Sequence, residues 1–101
     1  MSQVAVWARV PAQPGKRDDL AKALQGALDA AATEQGTIYY ILHEDPKDAD
    51  VLWMYELYSD QAALDIHQGS DAFKALGPAI SPFLGGRPEL NFVTPIGGKG
   101  V

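Results

Sequence analysis

The sequence predicts an α+β fold in which helices cover one side of a four-stranded antiparallel sheet. Segments that alternate, or that are rich in β-branched and aromatic residues, are separated by helix-like segments in the order βαββαβ. The right-handed crossover rule narrows this order to the ferredoxin-like arrangement. At 101 residues, the chain is expected to form one domain over residues 1–101, with a flexible tail at 97–101.

The first strand and the helix after it have the clearest patterns. Across Val4–Val10, the even-numbered residues are apolar and form one face of a strand. The helix is indicated by apolar residues at i, i+3, i+4 spacing, namely Leu20, Ala23, Leu24, Ala27, Leu28 and Ala31. Gly26 weakens this helix, and Gly36 is predicted to be the left-handed residue that ends it.

The rest of the chain is predicted to contain a hairpin, two short helices and a last strand. A polar turn, Asp45–Asp50, joins the two strands of the hairpin. The predicted elements are strands Thr37–His43 and Val51–Tyr58, a helix capped by Ser59 or Asp60 that runs to about His67, a helix from Ser70 to Gly77-Pro78, an irregular segment Pro78–Pro88, and a strand Glu89–Ile96.

The composition excludes several classes of function. The net charge is −5 and the three arginines form no basic cluster, so nucleic acid is not expected as a partner. The absence of cysteine removes disulfides and thiolate sites. No segment approaches the roughly 18 apolar residues of a membrane span, so we expect a cytoplasmic protein without membrane contact.

The two strands of the predicted hairpin carry a signal about assembly. Val51–Tyr58 and Ile38–Leu42 are apolar or aromatic at both parities, whereas a sheet with one face in water normally alternates. Because no predicted helices remain for the second face, a homodimer through that face is the economical explanation. The alternative is that tyrosine and tryptophan tolerate water on that face.

Several short segments together resemble the antibiotic biosynthesis monooxygenase family. They are Pro14–Leu20, Glu34–Ile38, Tyr55–Leu64, His67 and Ser70–Phe73. The resemblance covers most of the chain and implies a dimeric α+β barrel. Family members include cofactor-independent quinol monooxygenases, haem-degrading enzymes, isomerases and enzymes that degrade signal molecules, so the resemblance implies the fold more firmly than the reaction.

The chain departs from two groups of family members. Where the haem degraders have a pocket tryptophan, an axial histidine and a pocket asparagine, this chain has His67, Gly77 and Ala8, so the resemblance does not imply haem degradation. Polyketide-oxidising members use an asparagine and a tryptophan near the end of the third strand. Here those positions fall at Trp53 or Met54 and at Leu57 or Tyr58, and the single asparagine is Asn91.

His67 is the leading candidate for a catalytic residue. The helix pattern groups it with Ala63 and Leu64, and the resemblance places it in the pocket between helices and sheet. A histidine there can move a proton near neutral pH, whereas a purely structural histidine is the alternative. Glu56 is an isolated carboxylate in an apolar strand, which is costly unless it is paired or protonated; it is expected to orient His67 or to serve a structural hydrogen bond.

The other candidates for the substrate pocket are aromatic or cationic: Tyr40, Tyr55, Phe73, Phe83 and Arg87. A tyrosine hydroxyl or Arg87 is expected to stabilise an oxyanion. Two histidines 24 positions apart do not make a metal site, and no glycine motif for a nucleotide is present, so neither metal nor cofactor is expected.

These residues lead to three hypotheses for function. The first is a cofactor-independent monooxygenase acting on a small aromatic, quinol-type or polyketide ligand. The second is an isomerase or lyase that uses the same histidine base. The third is a non-catalytic dimer that binds a small apolar ligand.

Overall fold

A computed structural model of the chain describes residues 2–101. Its helices and strands are β1 (Val4–Pro11), α1 (Arg17–Ala23), α2 (Gln25–Ala31), β2 (Thr37–Glu44), β3 (Val51–Tyr58), α3 (Gln61–Gly69), α4 (Asp71–Ile80), a short 3₁₀ turn (Ser81–Phe83) and β4 (Glu89–Val93). The four strands form one antiparallel sheet in the order β2-β3-β1-β4. The predicted ferredoxin-like α+β fold is confirmed.

The sheet has two faces of different surroundings. The covered face lies under the helices and carries Val6, Ala8 and Val10 of β1, Tyr40 and Leu42 of β2, Leu52, Met54 and Glu56 of β3, and Leu90 and Phe92 of β4. The open face carries Trp7 and Arg9 of β1, Tyr39 and Ile41 of β2, Trp53 and Tyr55 of β3, and Asn91 and Val93 of β4. Successive side chains of a strand point to opposite faces, so one residue of register decides between them.

The main hydrophobic core fills the space between the covered face and the first helices. Leu20 and Leu24 are buried there against Leu52 and Met54 of the sheet. The predicted helix is interrupted at one residue: α1 ends at Ala23, and α2 begins after Leu24, whose carbonyl accepts from the N–H groups of Ala27 and Leu28. The nearby Gly26 lowers the cost of distorting this turn because glycine has a poor helix propensity.

Gly36 has a different role from the predicted one. Its φ is not positive, so it is not a left-handed cap, and α2 has already ended at Ala31. Instead, Gly36 allows two segments to approach closely: a Cβ added there would lie 2.5 Å from the Cβ of Ala63 in α3. The carbonyl of Gly36 also accepts from the N–H of Ser59 at 2.9 Å. The loop before β2 is therefore held against α3.

The second pair of helices begins as predicted. Asp60 caps α3 by accepting from the N–H of Ala63 at 2.8 Å, and Ser70 caps α4 by accepting from the N–H of Phe73 at 3.1 Å. The predicted end of α4 at Gly77-Pro78 is wrong, because the helix continues through Pro78 to the buried Ile80.

The last strand is shorter than predicted, because β4 ends at Val93 rather than at Ile96. The segment between α4 and β4 is also less irregular than predicted, since it begins with helical residues and the 3₁₀ turn. Within residues 2–101, no helix is long and apolar enough to cross a membrane.

Candidate active site

A cavity of about 460 Å³ lies between the covered face and helices α3 and α4. This size falls within the range of ligand-binding pockets. Its wall is mostly apolar, and its polar members are Tyr40, Glu56, His67, Gln68 and Lys74. The apolar lining comes from Val6, Ala8, Val10, Leu24, Met54, Phe73, Leu76, Gly77, Ile80, Pro88, Leu90 and Phe92.

His67 lies in the cavity wall, on the buried side of α3. The ring is 6% exposed and packs between Tyr40, Tyr58 and Phe73, with centroid distances of 5.2, 5.3 and 5.6 Å. Its Nδ1 lies 2.8 Å from Oε1 of Glu34. No residue of the described chain hydrogen bonds its Nε2. Every buried polar side-chain atom of the described chain has a partner, so Nε2 is not buried and is open to the cavity that His67 lines.

Glu34 is held in place by the loop between α2 and β2. Its Oε1 accepts from the Thr37 hydroxyl at 2.9 Å as well as lying against His67. The close approach of Gly36 to α3 brings this loop beside the histidine. A carboxylate on Nδ1 favours the tautomer whose proton sits on Nδ1, which leaves the Nε2 lone pair facing the cavity.

Glu56 and Tyr58 form a second polar pair, next to the first. The Tyr58 hydroxyl donates to Oε1 of Glu56 at 2.5 Å, and the Glu56 side chain is 8% exposed. Burial raises the pKa of Glu56 above its ordinary value of 4.5, while the bond from Tyr58 and the charge of His67 oppose the shift. Of the two expected roles of Glu56, the structure shows a hydrogen bond with Tyr58, and the carboxylate that contacts the His67 ring is Glu34.

Tyr40 lies directly opposite Glu56 on the neighbouring strand. Burial, with the nearby charges of Glu56 and Glu34, raises the pKa of the Tyr40 hydroxyl, so this group remains a proton donor. Among residues 2–101, none hydrogen bonds this hydroxyl. Every buried polar side-chain atom of these residues does have a partner, so the Tyr40 hydroxyl is not one of the buried atoms. The hydroxyl is therefore available to a ligand in the cavity.

The structure places four of the seven predicted site residues in the cavity wall: His67, Tyr40, Glu56 and Phe73. Tyr55 does not belong with them. It is on the open face, where its ring lies 4.4 Å from that of Trp7 and 6.4 Å from that of Tyr39. The pattern of β3 is aromatic at both parities and does not reveal which parity faces the helices, so it could not show that Tyr55 lies away from the cavity.

Phe83 and Arg87 also lie outside the cavity wall, contrary to prediction. Phe83 packs against the main core, and its carbonyl accepts from the N–H of Gln13 at 2.9 Å. The N–H of Gly85 donates to the carbonyl of Pro11 at 3.0 Å, so this segment is tied to the end of β1. Arg87 is exposed, and only its neighbour Pro88 reaches the cavity.

Two residues of the site were missed. Glu34 lies 33 positions before its partner His67, and no local pattern links them. Tyr58 had a recognisable signal, because it is two residues from Glu56 on the same face of a strand. A carboxylate buried in an apolar strand is costly unless a hydrogen-bond donor such as this hydroxyl lies beside it.

The arrangement suits proton transfer in an apolar space. His67 presents an open ring nitrogen, and the Tyr40 hydroxyl lies on the opposing sheet. A base facing a donor can remove a proton from a ligand and stabilise the negative charge that develops. Within residues 2–101, no group of three or more metal-ligating side chains is assembled.

A comparison with protein families supports the same interpretation of the fold. The family model of the antibiotic biosynthesis monooxygenases matches residues 3–78, three quarters of the sequence. This chain belongs to that family. No curated protein matches it in sequence.

Solved structures of similar chains extend the comparison. A "putative antibiotic biosynthesis monooxygenase" of Caulobacter crescentus is 31% identical with a TM-score of 0.87, covering 95% of this chain and 92% of its own. Rv0793 of Mycobacterium tuberculosis is 28% identical with a TM-score of 0.87, covering 97% and 99%. A conserved protein of Methanosarcina mazei is 27% identical with a TM-score of 0.85, covering 92% of each chain.

The three positions that the sequence resemblance matches to the pocket of haem-degrading family members all line the cavity. They hold Ala8, His67 and Gly77. The axial position thus offers only a glycine, which has no side chain to bind iron. The polar side chains of the wall are Tyr40, Glu56, His67, Gln68 and Lys74, and Glu34 bonds His67 from outside the wall.

Proposed function

We propose that this protein is a cofactor-independent monooxygenase that acts on a small aromatic, quinol-type or polyketide ligand in the cavity. The observation that supports it most directly is the Glu34–His67 pair, whose free Nε2 opens into an apolar cavity in a chain of this family. A substrate that forms a delocalised anion can reduce dioxygen itself. The protein then has only to remove a proton, exclude water and stabilise charge.

The proposed reaction balances with dioxygen as the only oxidant. For a ring methylene next to a phenolic system, the overall change is R₂CH₂ + O₂ → R₂C=O + H₂O. His67 Nε2 takes the first proton, and the C–H electron pair forms a C–O bond to dioxygen. The proton returns to give a hydroperoxide. Loss of the second C–H proton then forms the C=O bond as the O–O bond breaks, and the second oxygen leaves as water.

The residues of the cavity take distinct parts in this scheme. His67 is the proposed base, and Glu34 is a positioning residue, because it holds the ring and balances the charge of the imidazolium. The Tyr40 hydroxyl is the donor for the developing oxyanion, a role that Arg87 does not fill from its exposed position outside the wall. Phe73 and the other apolar residues keep water from the reacting atoms.

The proposed active unit is a homodimer. Its support is the open face, where Trp7, Tyr39 and Ile41 are 44, 42 and 44% exposed. A contiguous apolar surface of this kind is unusual on a monomer. Family members are typically dimeric, and a second sheet packed on this face would give the α+β barrel that the family implies.

Oxygen uptake with a panel of quinols and naphthols tests the proposal. We expect His67→Ala to lower kcat/KM by about 10²–10⁴, the usual contribution of a general base. Ile66→Ala is the control, since this neighbour of His67 on α3 is 70% exposed, lies outside the cavity wall and is expected to leave the rate unchanged. Equal rates in wild type and His67→Ala would overturn the role of His67.

The same panel separates the alternative functions. An isomerase or lyase with the same base would exchange substrate protons for deuterium without consuming oxygen. A non-catalytic protein would bind the compounds and do neither. Either result would overturn the monooxygenase proposal.

A further inference from the structure

Glu56 is a polar group of the cavity wall, on the covered face of the sheet, to which the proposed reaction assigns no role. Its side chain is almost buried, yet it forms part of the cavity wall. Tyr58 occupies Oε1, and within the described chain no group bonds Oε2. Since no buried polar side-chain atom there lacks a partner, Oε2 is reached from the cavity.

Burial of the Glu56 carboxyl favours its neutral form, while the bond from Tyr58 and the charge of His67 oppose this. The only imidazole nearby, His67, is bonded to Glu34, and Glu34 itself adds negative charge. Burial raises the pKa of Glu56, so its carboxyl keeps the proton to higher pH than an exposed glutamate does. Because Oε1 accepts from Tyr58, the proton of a neutral Glu56 carboxyl would sit on Oε2, the oxygen that reaches the cavity.

The Tyr40 hydroxyl is a second neutral hydrogen-bond donor beside Glu56. Tyr40 is the register partner of Glu56 on β2, and directly opposed residues of neighbouring strands have side chains about 5 Å apart. Both groups can donate to a ligand, and neither carries a positive charge. Two neutral donors side by side suit an oxygen that only accepts, such as that of a ketone or quinone.

We propose that Tyr40 and Glu56 form an oxygen-binding subsite that takes the carbonyl oxygen of an apolar ring ketone. The ring would lie against the apolar wall, with its carbonyl on the sheet and the neighbouring carbon towards His67. This inference rests on the proposed function only in assigning the cavity to a ligand. The preference for a carbonyl holds whether the bound ring is oxidised, isomerised or simply held.

Binding of a matched pair of ligands tests the subsite. 1-Tetralone and tetralin have the same ring system, and only the first has a carbonyl oxygen. We expect calorimetry at pH 7 to show tetralone bound about tenfold more tightly, the effect of one to two hydrogen bonds. Tyr40→Phe and Glu56→Leu should each reduce this preference by about threefold, whereas Glu56→Gln, which keeps a donor, should retain it.

The control variant is Tyr39→Phe, the same change on the open face, where the preference should stay at the wild-type value. Equal affinity of wild type for the two ligands, or no binding of either, would overturn the subsite. So would a preference that survives in both Tyr40→Phe and Glu56→Leu. Because these measurements need no oxygen, a carbonyl preference without oxygen uptake would leave the subsite standing and the oxygenase refuted. Oxygen uptake without a preference for the carbonyl ligand would refute the subsite and leave the oxygenase proposal standing.

Discussion

Both faces of the sheet carry apolar and aromatic side chains, but the two faces differ in what surrounds these side chains. On the covered face, Tyr40 and Glu56 present polar atoms to a cavity beside His67. On the open face, Trp7, Tyr39 and Tyr55 pack ring against ring. The difference teaches that the two parities of an aromatic run can serve different surroundings: one face of this sheet borders a cavity, and the other presents an exposed aromatic cluster.

The largest expected effect is on the open face. We predict that the wild type sediments as a dimer and that Ile41→Asp weakens the dimer by at least about 100-fold, because an ionised carboxylate would be buried in the contact. Ile66→Asp is the matched control on α3, where the side chain is 70% exposed and the dimer should persist. A monomeric wild type would contradict the assignment of this face.

The next effect concerns the Glu34–His67 pair, beside the covered face. Glu34→Gln should lower kcat about 10- to 100-fold with little change in KM, because the ring stays in place but the imidazolium loses its charged partner. Steady-state kinetics of oxygen uptake would measure this. Gln35→Glu, an exposed change in the same loop, is a control for altered charge. A rise in KM at constant kcat would instead make Glu34 a ligand-binding residue.

A smaller effect tests how the pair is brought together. Gly36→Ala should lower the free energy of unfolding by about 1–3 kcal/mol, since its Cβ would meet that of Ala63 at 2.5 Å. Adding Ala63→Gly should reduce this cost, which denaturant unfolding of the single and double variants can measure. Gly26→Ala, in a helix with no atom within 4 Å of the new Cβ, is the control and should stabilise by about 0.5–1 kcal/mol. Equal costs with and without Ala63→Gly would show that the contact is not the cause.

The smallest effect is a pH dependence on the covered face. The pKa of Glu56 is raised by burial, so the native state binds more protons than the unfolded state, and stability falls as pH rises above about 4.5. A single group contributes a slope of at most about 1.4 kcal/mol per pH unit in that window. Glu56→Gln should remove this fall, as measured by urea unfolding at pH 5 and pH 8. The same pH dependence in wild type and variant would mean that Glu56 is ionised in both states.

Local patterns predicted most of the fold because its elements carry strong signals. Three local preferences were not overridden by packing. They are the alternation of β1, the helix caps at Asp60 and Ser70, and the polar turn before β3. Patterns failed where packing decides the outcome. Helix α4 runs through Pro78 because Ile80 is buried at its end, and Gly36 serves a contact with a residue 27 positions away.

The candidate site was predictable only in part, for the same reason. The position of His67 on a helix face follows from the spacing of Ala63 and Leu64, and that prediction placed the ring in the cavity. Its partner Glu34 comes from another loop, and nothing in the spacing of a single sequence connects the two. Tyr55 was assigned to the site and belongs to the opposite face.

By itself, the sequence determined the kind of fold and the side chains available for chemistry, because hydrophobic period and capping are local properties of the chain. Tertiary structure decided which of these side chains meet. Glu34 reaches His67 because the loop at Gly36 packs against α3, and Tyr40 meets Glu56 because β2 and β3 pair in one register rather than the next. Contacts between distant segments depend on how whole elements pack, so no local pattern contains them.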